Sequence, residues 1–268
     1  MVSDSCKKRF GNIMMEEMEL VAQEEIAPRI YSMILKGEMV AQMLPGQFLH
    51  IRVPDGSKLL RRPISISEID PETQTCRLIY RIEGGGTAIF SQLPIGSKLS
   101  VMGPQGNGFD LEGLGQGARA LIIGGGIGVP PLVQVAKQLH RQGVEVEVVV
   151  GFATKEAVIL EEELSQVAHV TVTTDDGTYG TKGYVSTVID QMDQEFDAIY
   201  SCGAPGMLKY VNTKFHDHPR AYISMESRMA CGMGACYACV VHLENESQAA
   251  NKRVCEDGPV FETGTIVM

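Results

Sequence analysis

No stretch of this sequence is both apolar and long enough to cross a membrane. The roughly 20 consecutive apolar residues that a helical span needs occur nowhere among the 268 positions. The opening segment, MVSDSCKKRFGNIMMEEMEL, carries charge at both ends and lacks the apolar stretch of a secretory signal. These absences lead us to expect a cytoplasmic protein with no membrane partner. Basic residues are also in short supply. Lys and Arg total 23 against 33 Asp and Glu, a net charge of −10, which argues against phosphate-backbone binding and hence against a nucleic-acid partner. Repeats and low-complexity tracts are missing as well. What remains, 44% hydrophobic and 21% charged, is ordinary globular composition. At this length a single core usually gives way to two or three.

Cysteine departs from that ordinary picture. Four of the seven cysteines lie between positions 231 and 255, and the others stand alone at 6, 76 and 202. In a reducing compartment, crowded thiols point to metal ligation or redox chemistry before disulfides. Cys76 has the setting of a small buried residue on a strand.

The texture of the chain changes twice. Residues 18–112 hold short alternating segments (QFLHIRV, RPISISEI, TCRLIYRI, KLSVMG) between Gly/Pro turns, the pattern of a small antiparallel barrel or sandwich. The Gly-rich segment 103–118 reads as a linker. Residues 113–218 alternate strands such as RALIIGGG, VEVEVVVGF and FDAIYSCG with helical patterns over PPLVQVAKQLHRQG and KEAVILEEELSQV, which predicts a parallel sheet with helices on both faces. Residues 219–268 follow neither pattern and are too few for an independent apolar core, so an internal staple is expected there. Residues 1–17 form an N-terminal extension. The expected architecture is therefore multi-domain: an antiparallel β-barrel, an α/β parallel-sheet nucleotide domain and a small C-terminal thiol-rich domain.

The thiols read Cys231-x4-Cys236-x2-Cys239-x15-Cys255, a spacing that fits the plant-type ligand pattern of a [2Fe–2S] cluster. Gly232, Gly234 and Ala235 leave room for backbone N–H groups to turn toward inorganic sulfur. A zinc site is the competing reading, since zinc also accepts four thiolates; only one C-x2-C pair is present, where zinc ribbons show two. A second constellation is RRPISI (61–66) with EGGGT (83–87). Arg62 offers a bidentate fork to a pyrophosphate, the glycines permit close backbone approach, and Thr87 could open a short helix. Both features are also common in β domains without ligands. The third is LIIGGGIGVPPL (121–132), where a strand runs into Gly126 and Gly128 and then a helix. This geometry suits a nucleotide pyrophosphate, although Pro131 stands where the third fingerprint glycine would fall, and a bare tight turn is the alternative. SCGAPGMLKYV (201–211) repeats the strand–turn–helix form and could flank a nicotinamide, with Cys202 as a small packing residue the alternative reading. No acidic residue closes the second strand, so NAD and NADP are not distinguished.

The order of these parts resembles the ferredoxin–NADP reductase superfamily. With the C-terminal thiols added, GQFLHI, LLRRPISI, GGGT, GPQGNGF, GGGIGVPPL and TDDGTYGTKG are each similar, in sequence order, to stretches of the electron-transfer-subunit family of NAD-dependent dihydroorotate dehydrogenase, type B. The resemblance implies FAD contacts at Arg62 (pyrophosphate), Pro63, Ile64, Ser65 (near the flavin ring), Ile79, Tyr80, Arg81, Gly86 and Thr87. It implies NAD contacts at Gly126 and Gly128, and a [2Fe–2S] cluster on Cys231, Cys236, Cys239 and Cys255. Ile64 stands where many reductases carry a stacking Tyr. The implied partner is an FMN-containing catalytic subunit in a heterotetramer, with electrons reaching NAD+ through the cluster and FAD during pyrimidine synthesis and no catalytic acid or base on this chain. A subunit of an NAD(P)H–ferredoxin or sulfide-type oxidoreductase shares this layout, and a zinc-stapled regulatory module is the reading from a different class.

Overall fold

The computed structural model describes residues 13–192, 195–244 and 250–268. Cys6 and most of the expected N-terminal extension lie outside the described residues.

Six strands close into an antiparallel barrel: β1 (Met14–Ala27), β2 (Ile30–Lys36), β3 (Phe48–Ile51), β4 (Arg62–Asp70), β5 (Thr75–Arg81) and β6 (Lys98–Gln105), in the order β1-β2-β5-β4-β3-β6. Alternation explains why. Met18/Leu20, Met33/Leu35, Leu49/Ile51 and Leu99/Val101 are two apart and fully buried together, so each strand sends one face inward. Cys76 belongs to the same core, and burial pushes its thiol pKa up to about 12. Between β5 and β6 lies a short helix, α1 (Gly85–Phe90). Thr87 is its third residue, not its first. The Thr87 hydroxyl accepts the N–H groups of Glu83 (3.0 Å) and Gly84 (3.3 Å), which shifts the helix start onto the glycines.

The second unit is a sheet in the order β10-β9-β8-β7-β11-β12-β15, parallel except at β15. Its elements are β7 (Arg119–Gly125), α2 (Pro130–Arg141), β8 (Glu145–Phe152), α3 (Glu161–Ser165), β9 (His169–Thr174), β10 (Thr181–Lys182), α4 (Val185–Ile189), β11 (Ala198–Cys202), α5 (Pro205–Lys214) and β12 (Ala221–Ser224). Leu121, Ile122 and Ile123 are all buried in succession, as expected for a strand covered on both faces. The long helix expected over 155–167 is not formed. A single 3-10 turn at Lys155–Ala157 is followed by α3, with Leu160 between them in the left-handed region at φ 65°. β-branched Val158 and Ile159 favour extended backbone, Ile159 is drawn into the core, and Glu161–Glu163 restart the helix at a terminus that favours negative charge.

The Gly-rich segment 103–118 is a packed strap, not a loose linker. It begins inside β6, buries Phe109 and Leu111, and its Asp110 carbonyl accepts the Tyr200 hydroxyl at 2.9 Å. An ion network locks barrel to sheet: Arg77 reaches Glu163 at 2.6 Å and Glu68 at 3.2 Å, while Lys137 bridges Glu163 (2.6 Å) and Glu68.

The C-terminal segment borrows its core. β12 and β15 (Val260–Glu262) join the nucleotide sheet, while the hairpin of β13 (Val240–His242) and β14 (Asn251–Arg253) stands apart. Met229, Cys239, Val254, Cys255, Phe261 and Ile266 share one apolar cluster with Phe48 of the barrel and Ile123 and Ile199 of the sheet. Fifty residues without a core of their own are stabilised by the faces of two larger units.

Candidate functional site

A cleft of about 1400 Å³ opens where the barrel, the parallel sheet and the C-terminal segment meet. Ten of the eleven residues expected to contact FAD or NAD line it: Arg62, Pro63, Ile64, Ser65, Ile79, Tyr80, Arg81, Gly86, Thr87 and Gly126. Gly128 is the one that does not. A Cβ there would come within 2.6 Å of backbone atoms of Cys202 and Gly203, so this glycine serves the close approach of two turns. Gly126, at φ 52° with open space around it, faces the cleft.

The two barrel motifs converge. The Arg62 guanidinium lies against Gly86 of α1 and donates to the Leu60 carbonyl at 2.6 Å. Arg81 is paired with Glu83, so its charge is partly satisfied within the protein. Ile64 faces the barrel core as well as the cleft. On the sheet side the wall is made by Gly125–Ile127 and by Gly203–Leu208, the turn after β11 together with the start of α5. Cys202 itself is buried, with its thiol pKa raised by desolvation, and acts as a packing residue. Asp175 and Gly177 bond back to Phe152 and Thr174 as a turn.

Phe48, Glu226, Met229 and Tyr184 also line the cleft, and sequence reasoning did not single them out. Glu226 faces the lumen but sits deep among protein atoms, which raises its carboxyl pKa, with Arg81 opposing and Glu83 adding to the effect. Its position five residues before Cys231 was the available signal. Phe48 and Met229 have a double role. Each borders the cleft and also belongs to the apolar cluster that contains Cys239 and Cys255.

The thiol loop has the local geometry for a cluster. Gly232, Gly234 and Tyr237 all have positive φ, at 68°, 75° and 56°, and such residues turn successive N–H groups to one side. Met233 N–H points to Cys231 Sγ at 3.4 Å, Gly234 N–H to Cys255 Sγ at 3.1 Å, and Cys255 N–H to Cys239 Sγ at 3.4 Å. Backbone donors hold the Cys236 thiol down to about 7. The thiols of Cys231 and Cys236 are within hydrogen-bonding reach of each other, as are those of Cys239 and Cys255. Among the described residues no three His, Cys, Asp or Glu side chains converge on a point fit for a single ion. Two pairs fit a two-iron core, whose four thiolates are divided between two metals. Arg253 pins the loop from below, donating to the Gly234 carbonyl at 2.7 Å and lying over the Tyr237 ring at 5.2 Å.

Comparison with known proteins agrees with this division. Residues 17–109 match the oxidoreductase FAD-binding domain, 122–213 the oxidoreductase NAD-binding domain, and 226–267 the iron–sulfur cluster binding domain of dihydroorotate dehydrogenase B. The chain is 68% identical to the dihydroorotate dehydrogenase B (NAD(+)) electron transfer subunit of Streptococcus mutans, over 96% of this chain and 99% of that one. The chain belongs to the dihydroorotate dehydrogenase B electron transfer subunits. A further member of the family, from Enterococcus faecalis, is 46% identical over 94% of this chain and 98% of its own. Among solved structures, an NADH-dependent reduced ferredoxin–NADP oxidoreductase studied for flavin-based electron bifurcation superimposes with TM-score 0.82 and 28% identity, over 94% of this chain and 90% of that one. In the terms of this family, the protein carries FAD, NAD and iron–sulfur domains around one cleft, and among the described residues no helix is long and apolar enough to cross a membrane.

Proposed function

We propose that the chain carries electrons from the FMN of a dihydroorotate-oxidising catalytic subunit, through a [2Fe–2S] cluster and FAD, to NAD+, in the cytoplasm and in a heterotetramer of two subunits of each kind. The observation that supports this most directly is that Phe48 and Met229 line the cleft and also belong to the apolar cluster that contains Cys239 and Cys255. When bound, FAD exchanges paired electrons for single ones, matching a hydride acceptor to a one-electron cluster.

The chain's own residues bind, orient and exclude water. Arg62 and the adjacent Gly86 backbone take the pyrophosphate of FAD, with Thr87 fixing the turn above them through its bonds to Glu83 and Gly84. Pro63, Ser65, Ile79 and Tyr80 form the flavin wall, and Ile64, aliphatic where many reductases stack a Tyr, supports it from the barrel core. Gly126 and the Gly203–Met207 turn receive the nicotinamide nucleotide. Cys231 with Cys236 and Cys239 with Cys255 hold the cluster, and Cys236 is the exposed thiol of the four. A cluster held there would be accessible to a partner through Cys236. No acid/base pair for dihydroorotate is assigned to this chain, because that chemistry belongs to the catalytic subunit.

The test is a pull-down from native extract followed by an assay of dihydroorotate-dependent NAD+ reduction. A copurifying FMN protein with that activity is expected. Flavin and iron in the purified chain without such a partner would favour a second reading, a subunit of an NAD(P)H–ferredoxin oxidoreductase, which the TM-score of 0.82 to a protein of that kind supports.

A further inference from the structure

Under the thiol loop lies a buried polar pair that the scheme above leaves unused. His50 on β3 is 0% exposed and Gln105, at the end of β6, is 1% exposed. Neither ring nitrogen of His50 and neither amide atom of Gln105 has a hydrogen-bond partner meeting full geometry. Buried side chains of this kind are rarely left so in native folds, and each case calls for a physical reason. Two apolar residues would fill the same space without the desolvation cost.

Both side chains face the cluster loop. A Cβ on Gly232 would press into His50 Nδ1 and stand 2.8 Å from its Cε1 and 3.0 Å from Gln105 Oε1. Gly232 follows the first ligand, Cys231, so a glycine is required there both for its φ of 68° and for the approach of the imidazole. The ring also sits beside the backbone of Cys231 and of Arg61. Arg61 in turn donates to the His50 carbonyl at 3.2 Å and immediately precedes Arg62, the cleft's pyrophosphate anchor. Phe48, two residues back on the same face of β3, contributes to the wall between cleft and thiols. β3 therefore presents one residue of the apolar wall, Phe48, and one member of the polar pair, His50, on the same face.

We propose that His50 and Gln105 are positioning residues for the cluster: in the loaded protein their buried polar atoms hydrogen-bond to the Cys231–Gly232 segment, and so set the cluster's reduction potential relative to the flavin. Hydrogen bonds at cluster sulfurs are among the protein's main controls on potential, and the groups that orient ligands act through them. The inference rests on the assignment of the four cysteines as cluster ligands.

The test uses the full chain with its cofactors, in wild type and in His50→Phe, Gln105→Leu and His50→Asn. Iron and flavin content, the cluster's paramagnetic resonance spectrum and its midpoint potential are measured in each. His50→Phe and Gln105→Leu are expected to keep FAD at the wild-type level, alter the cluster's spectrum, and lower its potential enough to shift the cluster–flavin equilibrium about tenfold, which is ~59 mV for one electron. His50→Asn, which retains an N–H donor, recovers part of the shift. Unchanged spectra and potentials in both His50→Phe and Gln105→Leu overturn the proposal. If His50→Phe loses the cluster, restoration by His50→Asn supports it, and loss of the cluster in both, with FAD retained, assigns His50 to packing alone and overturns it. A wild-type protein without flavin or iron would sink the proposed function itself, an outcome distinct from all of these.

Discussion

The guanidinium of Arg62 rests on Gly86. A Cβ on that glycine would lie 2.5 Å from Nε and 3.0 Å from Cζ of the arginine, so two motifs 24 positions apart make one anion-binding corner. Gly86→Ala is expected to push Arg62 off its position and weaken FAD binding about tenfold, ~1.4 kcal/mol, while leaving the barrel folded. Arg62→Ala should do the same, and the double variant should lose little more, because both changes remove one unit. Flavin absorbance per chain across an FAD titration checks this. Wild-type affinity in Gly86→Ala would show that the contact does not position the anchor.

Cys236→Ser should separate the two halves of the electron path. Cys236 is exposed and, unlike Arg62, does not line the cleft. Loss of the cluster's absorbance is expected, with FAD content and NADH-driven dye reduction largely retained and dihydroorotate-to-NAD+ transfer by the complex abolished. Equal survival of both activities would refute the proposed wiring.

The glycines of the nucleotide turn should behave differently from each other. Gly128→Ala forces a methyl group into the backbone of Cys202 and Gly203, an overpacking that costs about 1–3 kcal/mol and lowers the melting temperature. Gly126→Ala meets open space and only the strain of its φ of 52°, roughly 1 kcal/mol. Its main effect is expected in the KM for NADH. Thermal melts beside NADH kinetics distinguish the two, and a reversed pattern would place the nucleotide elsewhere.

Acid should loosen the joint between barrel and sheet. Burial pushes the Glu163 carboxyl up, yet Arg77 and Lys137 together hold it below the ordinary glutamate value. A lowered folded pKa stabilises the native state fully above the unfolded value of ~4.3. That contribution is lost as pH falls through the folded value. Glu163→Gln is expected to lower stability by roughly 1–3 kcal/mol at neutral pH and to flatten the fall in melting temperature below about pH 4.3. A parallel pH profile for wild type and variant would remove Glu163 from the joint.

The barrel's inward strands and the apolar run of β7 were legible because the hydrophobic pattern alone identifies them. The stretch over 155–167 was not. Its charged and apolar residues have helical spacing, but Ile159 is needed in the core, and the tertiary demand breaks the helix at Leu160. The strap 103–118 reads as linker by its glycines, whereas Phe109 and Leu111 find their partners in the core of the sheet, distant in sequence. Gly128 and Gly126 look equivalent in LIIGGGIGVPPL, and only the neighbouring β11 turn separates a packing glycine from a cleft glycine.

By itself the sequence pointed to the cofactor chemistry, narrowing it by motif and completing it through the family it resembles. Thiol spacing, glycine turns and an arginine-led strand are local properties, set by covalent distance and backbone conformation along a few residues. It could not show that Phe48, His50, Gln105 and Met229 would matter, since none carries a local signature. Tertiary structure decided that, because closing the barrel turns alternate residues of β3 outward, and the coreless C-terminal segment must fold back against that outward face to bury its apolar side. Cys239 and Cys255 thereby come to pack with Phe48 and Met229, and the His50 ring meets the glycine that follows Cys231.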